Sequence, residues 1–283
     1  MIALIQFFQF SGEQRRFILR KKLSDTRTPE KWLELLHPLA AIESGERTNV
    51  ILSVLGFAGG GFLAISGVFS LVGHGGMGRG LILLVCGSGL LAVTTASRLF
   101  RFQGEHLGPV LNPLLAVLRE DVKPGDAVTL ELDLRSPERR ENCLAERQLP
   151  PYANYTKVLV TTFSHSWLKA DGILADGTRL RWEITDFVQR TKRTKQNSRK
   201  KTSWKVKHRV KTHLKLHVGL RQDRFELREL VVPNATCERD EKRLWIKLRR
   251  TYRDEPAGRF DAAAFVRLVM DTYARTRQVG GEA

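Results

Sequence analysis

Cysteine is scarce in this chain. There are three, at positions 86, 143 and 237. An odd number at wide separation does not make a disulfide framework or a zinc knuckle, and it fits a reducing compartment. No G-x-S-x-G elbow occurs, and no glycine-rich phosphate loop precedes a helical pattern, so the usual marks of a hydrolase or nucleotide-binding enzyme are missing. Two further absences are local. Between Arg47 and Arg98 the only charged residue is Arg79, and residues 190–221 contain no acidic residue at all.

The charge-free stretch reads as two apolar segments, residues 50–72 and 80–97, joined by a glycine-rich loop. As helices they would extend roughly 34 and 27 Å, close to the ~30 Å hydrocarbon core of a bilayer. Small residues fall at helical spacing: Gly56, Gly60, Ala64 and Gly67 on the first segment, Ser88, Ala92 and Ala96 on the second. Such stripes allow close helix packing in lipid, within one chain or between copies in a homo-oligomer. The expectation is a transmembrane helical hairpin over residues 49–98. Basic residues flank both ends, including Arg15, Arg16, Arg20, Lys21 and Lys22 before it and Arg98 and Arg101 after it. The positive-inside tendency then places both termini in the cytoplasm, the address being a bacterial inner membrane.

Residues 1–48 read as a cytoplasmic preamble with short helices. Ser11-x-x-Gln14 is a capping-box pattern, and Thr28-Pro29-Glu30 is a second helix start. The apolar first ten residues fit equally an interfacial segment or a piece packed on the following domain.

Beyond residue 104 the hydrophobic period changes to two. Val128, Leu130, Leu132 and Leu134 alternate with polar residues, and residues 157–163 form a second strand pattern. Ala175-Asp176-Gly177 is a hairpin turn between two further strands, while residues 136–154 read as a loop. Residues 204–220 alternate over their whole length, and strands are expected at 225–232 and 244–248. So long a run predicts a bend, a bulge or a projecting two-stranded ribbon. A helix capped by Asp261 and spanning 261–278 closes the chain. The fold class expected is an α+β membrane protein. It combines the two-helix transmembrane hairpin with a cytoplasmic antiparallel β domain, residues 104–283, that ends in a helix.

Formal net charge is +17. Residues 98–283 carry a net of +14, and 13 of those charges are the basic residues of 190–221. The candidate anion-binding residues are Arg190, Lys192, Arg193, Lys195, Arg199, Lys200, Lys201, Lys205, Lys207, Arg209, Lys211 and Lys215. Cations that repel one another point to an anionic counter-surface. For a membrane-anchored docking protein the nearest anions are phospholipid headgroups, ahead of nucleic acid or an acidic protein. Only Trp204 is aromatic within the segment, and it falls on the apolar side, which leaves a sequence-blind phosphate contact.

No residue set meets the standard of a catalytic or metal site, and no cofactor is implied. His213 and His217 would share a helix face, but on a strand they stand about 13 Å apart. Asp171, Asp176, Glu183 and Asp186 lie near one another along a hairpin. Turn geometry accounts for the two Asp-Gly pairs, and an ion pair of Glu183 with Arg179 or Arg181 accounts for the glutamate.

Overall fold

A computed structural model describes residues 9–44, 66, 106–151, 155–196, 201–227, 235–253 and 260–279. The chain divides into two compact units, residues 1–21 with 34–108 and residues 22–33 with 109–283.

In the first unit, helix α1 (Gly12–Arg20) opens on the capping box. The Gln14 amide donates to Ser11 Oγ at 3.2 Å, and the Ser11 amide donates to Gln14 Oε1 at 3.0 Å. Two otherwise unpaired donors of the first turn are thereby satisfied. Gln14 also donates through Nε2 to the Leu35 carbonyl at 3.1 Å. Leu35 lies on α2 (Pro29–Ser44), and Phe17, Ile18, Leu36 and Leu39 are buried in this unit.

The second unit is built on one antiparallel sheet. Its strands are β1 (Lys22–Arg27), β2 (Val128–Asp133), β3 (Cys143–Leu149), β4 (Lys157–Ile173), β5 (Arg179–Gln196) and β6 (Thr202–Arg221), with β8 (Ala235–Arg239) and β9 (Arg243–Arg253). They lie in the order β1-β2-β4-β5-β6-β9-β8, and β3 adds to the far part of β4. Two short strands, β7 (Phe225–Leu227) and β10 (Thr276–Gln278), pair separately.

Helices α3 (Asn112–Asp121) and α4 (Ala262–Tyr273) cover one face. Leu130, Leu132, Leu168, Leu180, Trp182, Ile184, Leu214, Leu216, Val218, Ile246 and Leu248 point into that core. The Trp182 ring packs on Phe265 of α4 at 5.3 Å. Alternation along each strand sends the other residues to an open face.

The β4–β5 turn follows from Gly177, whose φ of +85° suits a residue without Cβ. Asp176 holds the turn by accepting from the Thr178 amide at 2.8 Å and from the Tyr273 hydroxyl at 2.8 Å. Burial holds the Tyr273 hydroxyl well above the usual tyrosine range, and its bond to Asp176 adds to the shift.

Several expectations are corrected here. The membrane-protein fold class fails: among the described residues strand makes up 51%, and the four α-helices are short. Among the described residues no helix is long and apolar enough to cross a membrane. The longest of these, α2, has 16 residues and reaches about 24 Å, with Glu30, Lys31 and Glu34 along it. The fold is a mainly antiparallel β architecture with short helices. The transmembrane keywords and the inner-membrane address with cytoplasmic termini are corrected on the same finding, that no described helix can cross a membrane. The segments 50–72 and 80–97 lie outside the described residues, as do the small-residue positions Gly56, Gly60, Ala64, Gly67, Ser88, Ala92 and Ala96.

Smaller differences concern single elements. Residues 22–27, read within a helical preamble, form an edge strand paired to β2. Residues 136–154, read as a loop, contain a 3-10 turn (Arg140–Asn142) and β3. The C-terminal helix stops at Tyr273, because Thr276–Gln278 leaves it to pair with β7. Finally, β6 runs without a bulge in register with β5 from residue 202 to 219. The irregularity sits instead in β4, between Ser166 and Leu168. Because β4 and β3 accompany β5 outward, the far end is four strands wide rather than a two-stranded ribbon.

Candidate functional site

The register of β5, β6 and β9 decides which cations share a surface. Odd-numbered residues of all three strands stand on the open face. That row on β6 reads Lys205, Lys207, Arg209, Lys211, His213, Lys215 and His217. Opposite it β5 places Arg193 and Lys195, and β9 places Lys247, Arg249 and Arg253.

The predicted anion-binding residues therefore do not form one surface. Arg193, Lys195, Lys205, Lys207, Arg209, Lys211 and Lys215 lie on the open face. Arg190 and Lys192 lie on the opposite one, beside Trp204 and His208. Lys201 precedes β6 and is exposed, and Arg199 and Lys200 lie outside the described residues.

Acidic partners divide the cations further. Lys215 Nζ donates to Glu183 at 2.9 Å, and Arg190 donates to Glu138 at 3.0 Å. Lys247 is bonded to Glu238. Arg193 stacks over Tyr155 at 5.6 Å. By contrast Lys205, Lys207, Arg209 and Lys211 are exposed and make no ion pair among the described residues, and the same holds for Arg249 and Arg253. Lys205 stands directly opposite Arg193, and Lys211 directly opposite Arg253. Like charges facing across a ladder destabilise it, so the sheet carries a repulsion that an external anion would relieve.

Aromatic groups lie within this basic face. Trp245 reaches across Gly219, where a Cβ would stand 2.8 Å from its ring, so glycine is required by the close approach. Arg181 sits 5.2 Å above the same ring, and Trp245 Nε1 donates to Asp240 at 2.8 Å. The Phe187 ring lies 4.4 Å from the His213 ring. Burial, followed by Lys211 and Lys215, holds His213 below the usual histidine value. Burial also lowers His217, helped by Lys247, Arg181 and Arg249.

Trp245, Arg249 and Arg253 were missed by sequence reasoning. The signal was present in the alternation of residues 243–253, which puts Arg243, Trp245, Lys247, Arg249 and Arg253 on one side and Leu244, Ile246 and Leu248 on the other.

The acidic cluster has no free member. Asp171 accepts from Arg179 at 2.8 and 2.7 Å and from Arg181 at 2.9 Å. Against the opposing pull of burial these guanidinium groups hold its carboxyl below the usual range. Glu183 accepts from Ser166 Oγ and Lys215 Nζ, both at 2.9 Å, so its ion pair is with Lys215 rather than with either arginine. Asp186 is buried and accepts from Thr212 at 2.7 Å. A cleft of about 250 Å³ runs between Glu131, Lys169, Arg181, Glu183, Lys215 and His217. Of its three carboxylates, Asp171 and Glu183 are ion-paired, and Glu131 makes no ion pair among the described residues.

His165, between Ser164 and Ser166, is structural. It is buried, donates through Nε2 to the Asp133 carbonyl at 2.8 Å, and accepts from Asn142 Nδ2 at 3.3 Å. No group of three or more metal-type ligands occurs among the described residues. Compared with known proteins, the chain matches no family model, no curated protein and no solved structure.

Proposed function

We propose that the protein binds single-stranded nucleic acid along the open face of β5, β6 and β9. The observation that carries this reading is the row Lys205, Lys207, Arg209 and Lys211, unpaired by acids and opposed by further cations. At about 3.3 Å per residue, alternate side chains recur every ~6.6 Å, so the row spans roughly 20 Å and can follow one phosphate backbone. Phe187, directly opposite Lys211, and His213 stand at the end of the row as a stacking surface for bases. Nothing in the site selects particular base edges, so the contact is sequence-tolerant.

Anionic lipid headgroups are the competing partner. That reading drew its weight from a membrane anchor, and among the described residues no helix is long and apolar enough to provide one. A gel-shift titration of the full chain with an oligonucleotide of about a dozen nucleotides, at about 50 mM salt, tests the proposal. Phosphatidylserine vesicles at matched charge serve as the comparison. Retardation of the oligonucleotide, without stronger capture by vesicles, is expected. No shift at low salt rejects the proposal, and capture by vesicles alone transfers the site to lipid.

A further inference from the structure

β9 pairs with β6 only from Lys211 to Arg221. Residues 202–210 of β6 are bonded to β5 on one edge, and among the described residues no strand takes the other. This free edge is nine residues long, roughly 30 Å. Residues 202–209 are exposed, with Trp204 at 65% and Val206 at 40% of full exposure. Every second residue of such an edge turns an N–H and a C=O outward, a template for a further strand.

The side chains specify what kind of strand fits. Lys205, Lys207 and Arg209 stand on one face of the edge, and Trp204 and Val206 stand on the other. A second copy of this chain pairing edge to edge would bring its own lysines and arginine against these, so self-association is opposed by charge. An incoming strand with acidic residues on the cationic side and apolar residues beside Trp204 and Val206 satisfies both faces.

We infer that the free edge of β6, residues 202–210, takes up an extended acidic peptide from another protein as an added strand. Backbone hydrogen bonds supply the attachment. Alternation of acidic and apolar residues supplies the selectivity. The inference does not depend on nucleic-acid binding, since it uses main-chain groups that a phosphate backbone would leave unpaired. Because Lys205, Lys207 and Arg209 serve both partners, peptide and oligonucleotide would exclude each other.

The test uses the full chain and a fluorescent peptide of alternating Glu and Val, about eight residues long, comparable to the free edge. The expected result is binding seen by anisotropy, with slowed hydrogen exchange at alternate amides of residues 202–210. The same peptide N-methylated at every residue keeps its charge and loses its donors, and should bind more than about tenfold more weakly. The K205E/K207E/R209E variant should lose binding while keeping the β-sheet circular dichroism of the parent, since all three residues are exposed. Equal binding of the N-methylated peptide would overturn the inference and leave a purely electrostatic contact. So would unchanged exchange rates at residues 202–210, or no binding at about 50 mM salt.

Discussion

Neutralising the acid-free row should change the salt dependence of nucleic-acid binding by a calculable amount. On β6 and β9, six exposed open-face cations have no acidic partner among the described residues: Lys205, Lys207, Arg209, Lys211, Arg249 and Arg253. A protein that displaces counterions from a single strand shows a slope of log K against log salt of about −0.7 per phosphate contact. Six contacts give a slope of about −4, and a fourfold rise in salt then weakens binding about 300-fold. Replacing Lys205, Lys207, Arg209 and Lys211 by glutamine leaves two contacts. The slope should fall to about −1.4, and the same rise in salt should cost only about sevenfold. The measurement is anisotropy of a labelled oligonucleotide at about 50 and 200 mM salt. These four side chains are exposed, so the variant keeps its fold. A slope unchanged in the variant would refute the reasoning, because the anion would then be held elsewhere.

Three further perturbations test the framework. Trp32 is fully buried and donates from Nε1 to the Val128 carbonyl at 2.9 Å, so Trp32→Phe should cost about 1–3 kcal/mol in urea unfolding. Gly219→Ala places a methyl 2.8 Å from Trp245 and should cost about 1–3 kcal/mol, with a shift in tryptophan emission as the ring moves. His213 is held below the ordinary histidine value of about 6.5 by burial and by Lys211 and Lys215. The unfolded chain therefore takes up that proton first, so the contribution to stability is complete above pH 6.5 and declines as pH falls through that value. His213→Gln should flatten this part of the stability profile, and a profile unchanged by the substitution would contradict the assignment.

The strands of the second unit were legible wherever alternation was unbroken. Residues 128–134 and 212–220 announce themselves because one face is buried and the other is more solvated, and the alternation carries on through 204–210, where both faces are largely exposed. β1 was hidden, since Lys22–Arg27 is polar except for Leu23 and owes its conformation to pairing with β2. β3 was hidden for the same reason: six of its seven residues are exposed, leaving no apolar stripe to read. The end of α4 could not be foreseen from helical periodicity, because what stops it is the pairing of Thr276–Gln278 with Phe225–Leu227.

The candidate site was legible as a charge count and not as a surface. Residues 190–221 were identifiable as basic, but which cations share a face depends on register, and which are already neutralised depends on Glu138, Glu183 and Glu238. Arg249 and Arg253 join the row only through the β6–β9 ladder. The length and hydropathy of residues 50–97, which, residue 66 apart, lie outside the described residues, say nothing of the antiparallel sheet that makes up the second unit.

Photocrosslinking tests the central claim most directly. An oligonucleotide carrying 4-thiouridine is irradiated on the full chain and the adducts are mapped by peptide mass. Adducts in the peptides that carry Phe187 or His213, competed by unlabelled oligonucleotide, are the predicted result. Adducts confined to helices α3 and α4, on the covered side of the sheet, would contradict it.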